Sequence, residues 1–304
     1  MEAGKVKWFV IVNPVAGGGR GLDHFPQISR YLRDAQILCE PVFTEHKFHA
    51  TELTVTAVNE GYRHIIVVGG DGTLHEVVCG LMQLPEDSRP PLGYIPAGTT
   101  NDFATNFGLP TKPALAAERI VNPSIISIDV GVFGEPSEHN YFTYVASTGA
   151  FADSSYRTPQ KVKNAIGYLA YILDGITRLG SIRPIHMHVE ADGKVFDDEY
   201  IYASVSNSTT VAKMIKLDNI GVDMTDGLFE LILIKRPKNL HDTREIAEAL
   251  LSPNSPKAEI VRAQSSEIHF CLDEGSAWTL DGEMANAPSD FTVRNLCRTL
   301  KFIK

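Results

Sequence analysis

The pattern of apolar and polar positions changes character near residue 128. Before it, short unbroken apolar runs at residues 7–12, 37–43, 64–68 and 92–95 alternate with helical spacing at 24–33, 51–60, 73–82, 102–107 and 113–121. Unbroken runs suit strands buried on both faces, and their alternation with helices predicts a parallel sheet covered by helices. After residue 128, period-two strands at 185–191, 200–205, 228–234, 259–272 and 291–301 surround one helical pattern at 162–179. That half reads as a mainly antiparallel β domain, with a Pro/Ser loop at 251–256 and no internal repeat. The expected domains are an α/β domain at 1–128, onto which 290–304 can pack back, and a β domain at 129–289.

Three glycine-bearing loops follow strands of the first domain. They are Asn13-Pro14-Val15-Ala16-Gly17-Gly18-Gly19, Gly69-Gly70-Asp71-Gly72-Thr73, and Pro96-Ala97-Gly98-Thr99-Thr100-Asn101-Asp102. In a parallel sheet all three emerge at the carboxyl edge, where open α/β folds bind ligands. Glycines bring backbone N–H groups close to a phosphate, and a following helix adds its positive end. Asp71 would repel a bare phosphate, so a metal-nucleotide complex is the natural ligand. Taken alone, the second loop reads equally well as a tight strand-to-helix turn with Asp71 near the N-cap. There is no GxxxxGK[ST], and no glycine triplet with the context of a dinucleotide-binding fingerprint. Nucleotide would then be held by backbone amides and by Thr73, Thr99 and Asn101.

Bulk properties narrow the field further. The chain has 304 residues, with 28 basic against 37 acidic side chains and a net charge of -9, which excludes a general nucleic-acid binder. Its four cysteines show no paired spacing, so neither a disulfide framework nor a zinc site is expected. No leader or spanning segment is read from the sequence, which predicts a cytoplasmic protein that at most sits on a membrane.

The segments VNPVAGGG (12–19), GGDGT (69–73), PAGTTNDFA (96–104) and LDGE (280–283) together resemble the diacylglycerol kinase catalytic family, especially its soluble bacterial lipid-kinase branch. The similarity in motif order and spacing covers nearly the whole chain. It implies a Rossmann-like N-terminal domain of the NAD kinase/phosphofructokinase type, a C-terminal β-sandwich, and ATP with Mg²⁺ as phosphoryl donor. Carried onto this sequence, Asn13, Gly70, Gly72, Thr73, Gly98, Thr99 and Asn101 would contact nucleotide. Asp71 would organise the Mg²⁺ network, Asp129 is a candidate for the same acidic network, and Glu283 would be the general base. The implied reaction is transfer of the γ-phosphate to the hydroxyl of diacylglycerol, giving phosphatidic acid in phospholipid metabolism. Another lipid alcohol such as a sphingoid base, or a catalytically silent nucleotide-binding regulator, are the alternatives, and a homodimer is possible for soluble families of this kind.

Residue chemistry adds detail to that picture. Glu283 lies in an Asp-Gly turn, which is also a common hairpin signal. Asp223 and Asp226, with a carbonyl near Leu228, supply oxygen ligands for a second hard cation, although Thr225 stands where the family shows a further acid; a plain turn reads nearly as well. Basic residues Arg157, Lys161, Lys163, Arg178, Arg183, Lys213, Lys216, Lys235, Arg236 and Lys238 offer a patch for peripheral attachment to an anionic membrane. His186 and His188 share one strand face, and for want of a third ligand nearby that face is read as solvated.

Overall fold

The computed structural model describes residues 8–37, 41–149, 183–208, 210–211, 215–216, 223–251 and 258–304. They fall into two compact units: Met1–Gly131 with Pro136–Thr143 and Leu296–Lys304, and Val132–Glu135 with Tyr144–Asn295. The helical pattern at 162–179 and half of the basic cluster (Arg157, Lys161, Lys163, Arg178 and Lys213) lie outside the described residues.

In the first unit, β1 (Trp8–Val12), β2 (Pro41–Phe43), β3 (His64–Gly69) and β4 (Leu92–Pro96) form a parallel sheet in the order β4-β3-β1-β2. The helices between them are α1 (Ala16–Asp34), α2 (His49–Asn59) and α3 (Asp71–Met82); α4 (Asp102–Asn106) and α5 (Pro113–Val121) follow β4. Val10, Val12, Ile66, Val68 and Ile95 point into a core closed by Ile28 and Leu32 of α1 and by Ala116, Ala117 and Ile120 of α5. Coverage of both faces is why these strands read as unbroken apolar runs. From β1 the chain runs one way to β2 and the other way to β3, so the topological switch lies between β1 and β3.

After β5 (Ile125–Phe133) and the short β6 (Tyr141–Phe142), the second unit contains β7 (Val145–Gly149), β8 (Ile185–Ala191), β9 (Lys194–Ser206), β10 (Thr210–Val211), β11 (Ile215–Lys216) and β12 (Phe229–Lys235). Then come α6 (Leu240–Leu251), β13 (Ile260–Ser265), β14 (Glu267–Leu272), β15 (Ser276–Leu280), β16 (Glu283–Ala287) and β17 (Asp290–Ile303). Strand β9 changes partners along its length. Its first half pairs with β8, and β8 with β14; its second half lies between β12 and β7. Trp278 of β15 meets Phe270 of β14 and Phe291 of β17 with ring centroids 5.3 and 5.5 Å apart, an aromatic core within this unit.

Several boundaries differ from the sequence-based expectations. The period-two run at 259–272 is two strands, broken where the Ser265 hydroxyl turns back to donate to the Glu267 carbonyl at 2.6 Å. Helix α1 starts well before residue 24, at Ala16 inside the first glycine loop, with the three glycines departing from helical geometry. Helix α6 was not expected, yet its start is well signalled: Asn239 Oδ1 accepts the N–H groups of His241 and Asp242, and the Asp242 carboxylate accepts that of Lys238, a reciprocal cap. Among the described residues no helix is long and apolar enough to cross a membrane. The last strand, β17, runs past Leu296 into the first unit, where Phe302 pairs in parallel with Leu92 of β4.

Candidate functional site

The loops after β1, β3 and β4 meet at the carboxyl edge of the first unit's sheet. Asn13 is anchored by its backbone N–H to the Val68 carbonyl at 2.9 Å, and its Oδ1 accepts the N–H of Val15 at 3.1 Å. Its Nδ2 donates to Thr73 Oγ1 at 2.9 Å, which ties the first loop to the start of α3 across the topological switch. Gly17, Gly18 and Gly19 then take φ values of 60, 78 and 100°, a left-handed run that side chains other than glycine resist.

The second and third loops lie back to back. The Ala97 N–H donates to the Gly69 carbonyl at 2.7 Å, and a Cβ on Gly98 would stand 2.5 Å from the Gly70 Cα. Asn101, in the left-handed region at φ 51°, folds its amide back on the same loop. Its Oδ1 accepts the Gly98 N–H at 2.9 Å, its Nδ2 donates to the Gly98 carbonyl at 3.1 Å, and the Tyr94 hydroxyl donates to that Oδ1 at 3.3 Å. Asn101 therefore shapes the loop with its own amide. Gly72 lies in the first turn of α3, Thr73 is buried, and Thr99 is exposed beside Gly98.

Asp71 begins α3 but caps a different helix. Its Oδ2 accepts the Asp102 N–H at 3.0 Å and the Thr100 hydroxyl at 3.2 Å, and its Oδ1 accepts the Phe103 N–H at 3.2 Å, all at the start of α4. Burial is the largest influence on this carboxyl and raises its pKa, against the lowering effect of the backbone hydrogen bonds. A cation beside Asp71 would offset that burial. Asp129 of β5 is fully buried and accepts the Arg298 N–H at 2.8 Å, where β17 takes φ 53°. In this arrangement it fixes the bend of the last strand.

In the second unit, Leu280 and Glu283 pair across a two-residue turn in which Asp281 and Gly282 have φ 51 and 91°. Glu283 opens β16 with a half-buried side chain. Asp281, overlooked as a mere turn residue, is only 4% exposed, and its Oδ1 accepts the N–H groups of Tyr144 and Val145 at 3.0 and 3.1 Å. The turn presenting Glu283 is thereby clamped to β7. Its partners lie some 136 residues earlier, so no local signal could reveal them.

Asp223 and Asp226 each form a local turn. Asp223 Oδ1 accepts the N–H and hydroxyl of Thr225 at 3.0 and 2.7 Å, and Asp226 Oδ1 accepts the N–H of Leu228 at 2.9 Å. Of the basic cluster, Arg183 pairs with Glu274, Lys235 with Asp198 and Arg236 with Glu199, at 3.0, 3.0 and 2.9 Å. These three side chains are engaged within their own unit.

Comparison with known proteins is consistent along the whole chain. The profile of the diacylglycerol kinase catalytic domain matches residues 7–133. The chain is 32% identical over 297 residues to a diacylglycerol kinase of Bacillus subtilis (strain 168), covering 97% of this chain and 95% of that protein. It is 32% identical over 291 residues to a diacylglycerol kinase of Staphylococcus aureus (strain MRSA252), covering 93% and 88%. The fold matches the crystal structure of a diacylglycerol kinase from Bacillus anthracis str. Sterne with a TM-score of 0.73 at 23% identity, covering 98% and 96% of the two chains.

Proposed function

The chain belongs to the diacylglycerol kinase family and is a lipid kinase, and from that premise we propose that it transfers the γ-phosphate of Mg-ATP to the hydroxyl of diacylglycerol, giving phosphatidic acid. The observation that supports this most is the meeting of three glycine-bearing loops at the switch between β1 and β3, joined by the Asn13 to Thr73 hydrogen bond. Backbone amides and small side chains gathered at such an edge suit a polyphosphate.

In this reading Asn13, Gly70, Gly72, Thr73, Gly98, Thr99 and Asn101 hold the nucleotide. Phosphoryl transfer depends chiefly on positioning and charge neutralisation. Gly70 and Gly98 contribute positioning because neither carries a side chain between the two loops, and Asn101 contributes by locking the Gly98 turn. Asp71 is the metal-organising carboxylate, held in one orientation by the start of α4. Mg²⁺, when bound, would supply charge neutralisation at the phosphates. Asp129 belongs to the same acidic network in this reading, and Asp223, Asp226 and the Leu228 carbonyl would hold a second, structural cation.

Glu283 is the general base that accepts the proton of the attacking lipid hydroxyl. Its turn is anchored by Asp281, whose Oδ1 accepts the N–H groups of Tyr144 and Val145. The lipid resides in a membrane, so the enzyme works as a peripheral protein there, with the basic residues of the second half steering it to anionic surfaces. The decisive test is Glu283→Gln: transfer to diacylglycerol should fall by roughly a thousandfold or more, a general-base effect at the upper end, while Mg-ATP affinity measured by calorimetry stays within about threefold. Loss of both together would remove Glu283 from the role of base.

A further inference from the structure

The amino edge of the first unit's sheet carries a basic hollow that the nucleotide site does not use. Arg63 precedes β3, and Asp87 and Arg89 precede β4; together with Lys301 of β17 they line a cavity of about 510 Å³. Lys301 arrives there because the next residue, Phe302, pairs in parallel with Leu92 at the start of β4. The glycine-bearing loops leave the opposite ends of these strands, and the six residues of β3 alone span roughly 18 Å.

We infer that this hollow is a binding site for a phosphate monoester, separate from the nucleotide site. Three cationic side chains against the one carboxylate of Asp87 leave an excess of two positive charges, in a chain whose net charge is -9. Among the described residues none of the three is in an ion pair, whereas Arg183, Lys235 and Arg236 each hold a carboxylate. A phosphate monoester is close to a dianion at neutral pH, with its second pKa at about 6, and matches that excess; a carboxylate supplies half of it.

Arg89 is the fixed part of the site. Its Nε donates to the Leu84 carbonyl at 3.0 Å, and its Nη1 donates to the Thr299 carbonyl at 3.2 Å and to the Thr299 hydroxyl. All of these acceptors are neutral, so they orient the guanidinium without cancelling its charge. Nη2 donates to no protein group among the described residues, which leaves that edge of the fork for a phosphate oxygen. Burial is the largest influence on this group and lowers its pKa, against the opposing effect of Glu86, so an anion beside it offsets a cost already present. The adjacent prolines Pro90 and Pro91 stiffen the loop that shapes the hollow. Arg63 and Lys301 are exposed and turn freely to close on the ligand.

The ester can come from a water-soluble metabolite or from phosphatidic acid in a bilayer, and the test separates the two. The full chain, saturated with Mg-ADP, is titrated with glycerol 3-phosphate in a calorimeter, with glycerol as control. In parallel it is sedimented with phosphatidylcholine vesicles with and without phosphatidic acid. Arg63→Gln/Lys301→Gln removes two side chains that make no hydrogen bond among the described residues, so the fold is kept. This variant should weaken binding by about tenfold or more, as expected for losing charge-assisted hydrogen bonds. Arg89→Lys, which keeps the charge and loses the fork, should weaken it by about threefold. Gly98→Ala, at the other end of the sheet, should leave it unchanged. Binding of glycerol 3-phosphate without vesicle retention identifies a soluble ester as the ligand, and retention that requires phosphatidic acid identifies the lipid. Absence of both in the wild type, equal binding by Arg63→Gln/Lys301→Gln, or loss through Gly98→Ala instead would each overturn the inference.

Discussion

Replacing Asp281 tests whether the turn that carries Glu283 is held by a buried carboxylate. Asp281 Oδ1 accepts two backbone N–H groups at 3.0 and 3.1 Å in a position 4% exposed, and the residue itself sits at φ 51°. Hydrogen bonds to a charged group contribute roughly 1.5 kcal/mol or more each, and alanine in the left-handed region costs about 1 kcal/mol. Asp281→Ala should therefore lower the stability of the second unit by about 4 kcal/mol. Asp281→Asn keeps a carbonyl oxygen for both donors and tolerates the backbone conformation, so its cost should be about 1 kcal/mol. The assay is urea unfolding followed by Trp278, which is buried in the second unit, in a Trp8→Phe background that silences the ring stacked on His64 in the first. Alanine and asparagine variants of equal stability would refute the clamp.

Gly98→Ala places a Cβ 2.5 Å from the Gly70 Cα and 2.8 Å from Asn101 Oδ1, so the two loops must part; Mg-ATP affinity measured by calorimetry should drop by about tenfold, in line with an overpacking cost of roughly 1–3 kcal/mol. Glu230, 2% exposed on β12 with the Gln264 amide as its hydrogen-bond donor, is pushed by burial from 4.5 to about 7. Between those values the folded state holds a proton that the unfolded state has released, so stability falls as pH rises from about 5 to 7 and the loss persists above it. Glu230→Gln should be more stable than wild type by about 3 kcal/mol at pH 8 and no more stable at pH 4, as read by chemical unfolding at the two pH values.

How much was legible in the sequence depends on how far apart the interacting residues lie. The parallel sheet of the first unit was legible because strands buried on both faces leave unbroken apolar runs, and the three loops because glycine at strand ends is a local signal. Their mutual arrangement follows once the strands are parallel, and the Asn13 to Thr73 hydrogen bond is its direct expression. The capping of α4 by Asp71 was hidden, since the carboxylate lies 31 residues from the Asp102 N–H it accepts. Asp129 was a candidate only through the family resemblance; it lies within β5, and the bond to Arg298 that occupies it spans 169 residues. Helix α6 carried its cap in plain sight at Asn239 and Asp242, but it lies between strand signals that drew the reading toward β structure. The partner of His186 and His188 was hidden too, because Asp197 reaches both rings through β pairing rather than along the chain.

The most direct measurement is transfer of label from γ-³²P-ATP in mixed micelles carrying diacylglycerol, sphingosine or neither, with the lipid product separated and identified. Labelled phosphatidic acid formed in proportion to diacylglycerol, and absent with sphingosine or empty micelles, is the expected result. Mg-ATP binding without labelled lipid from diacylglycerol, or phosphorylation of sphingosine in its place, would contradict it.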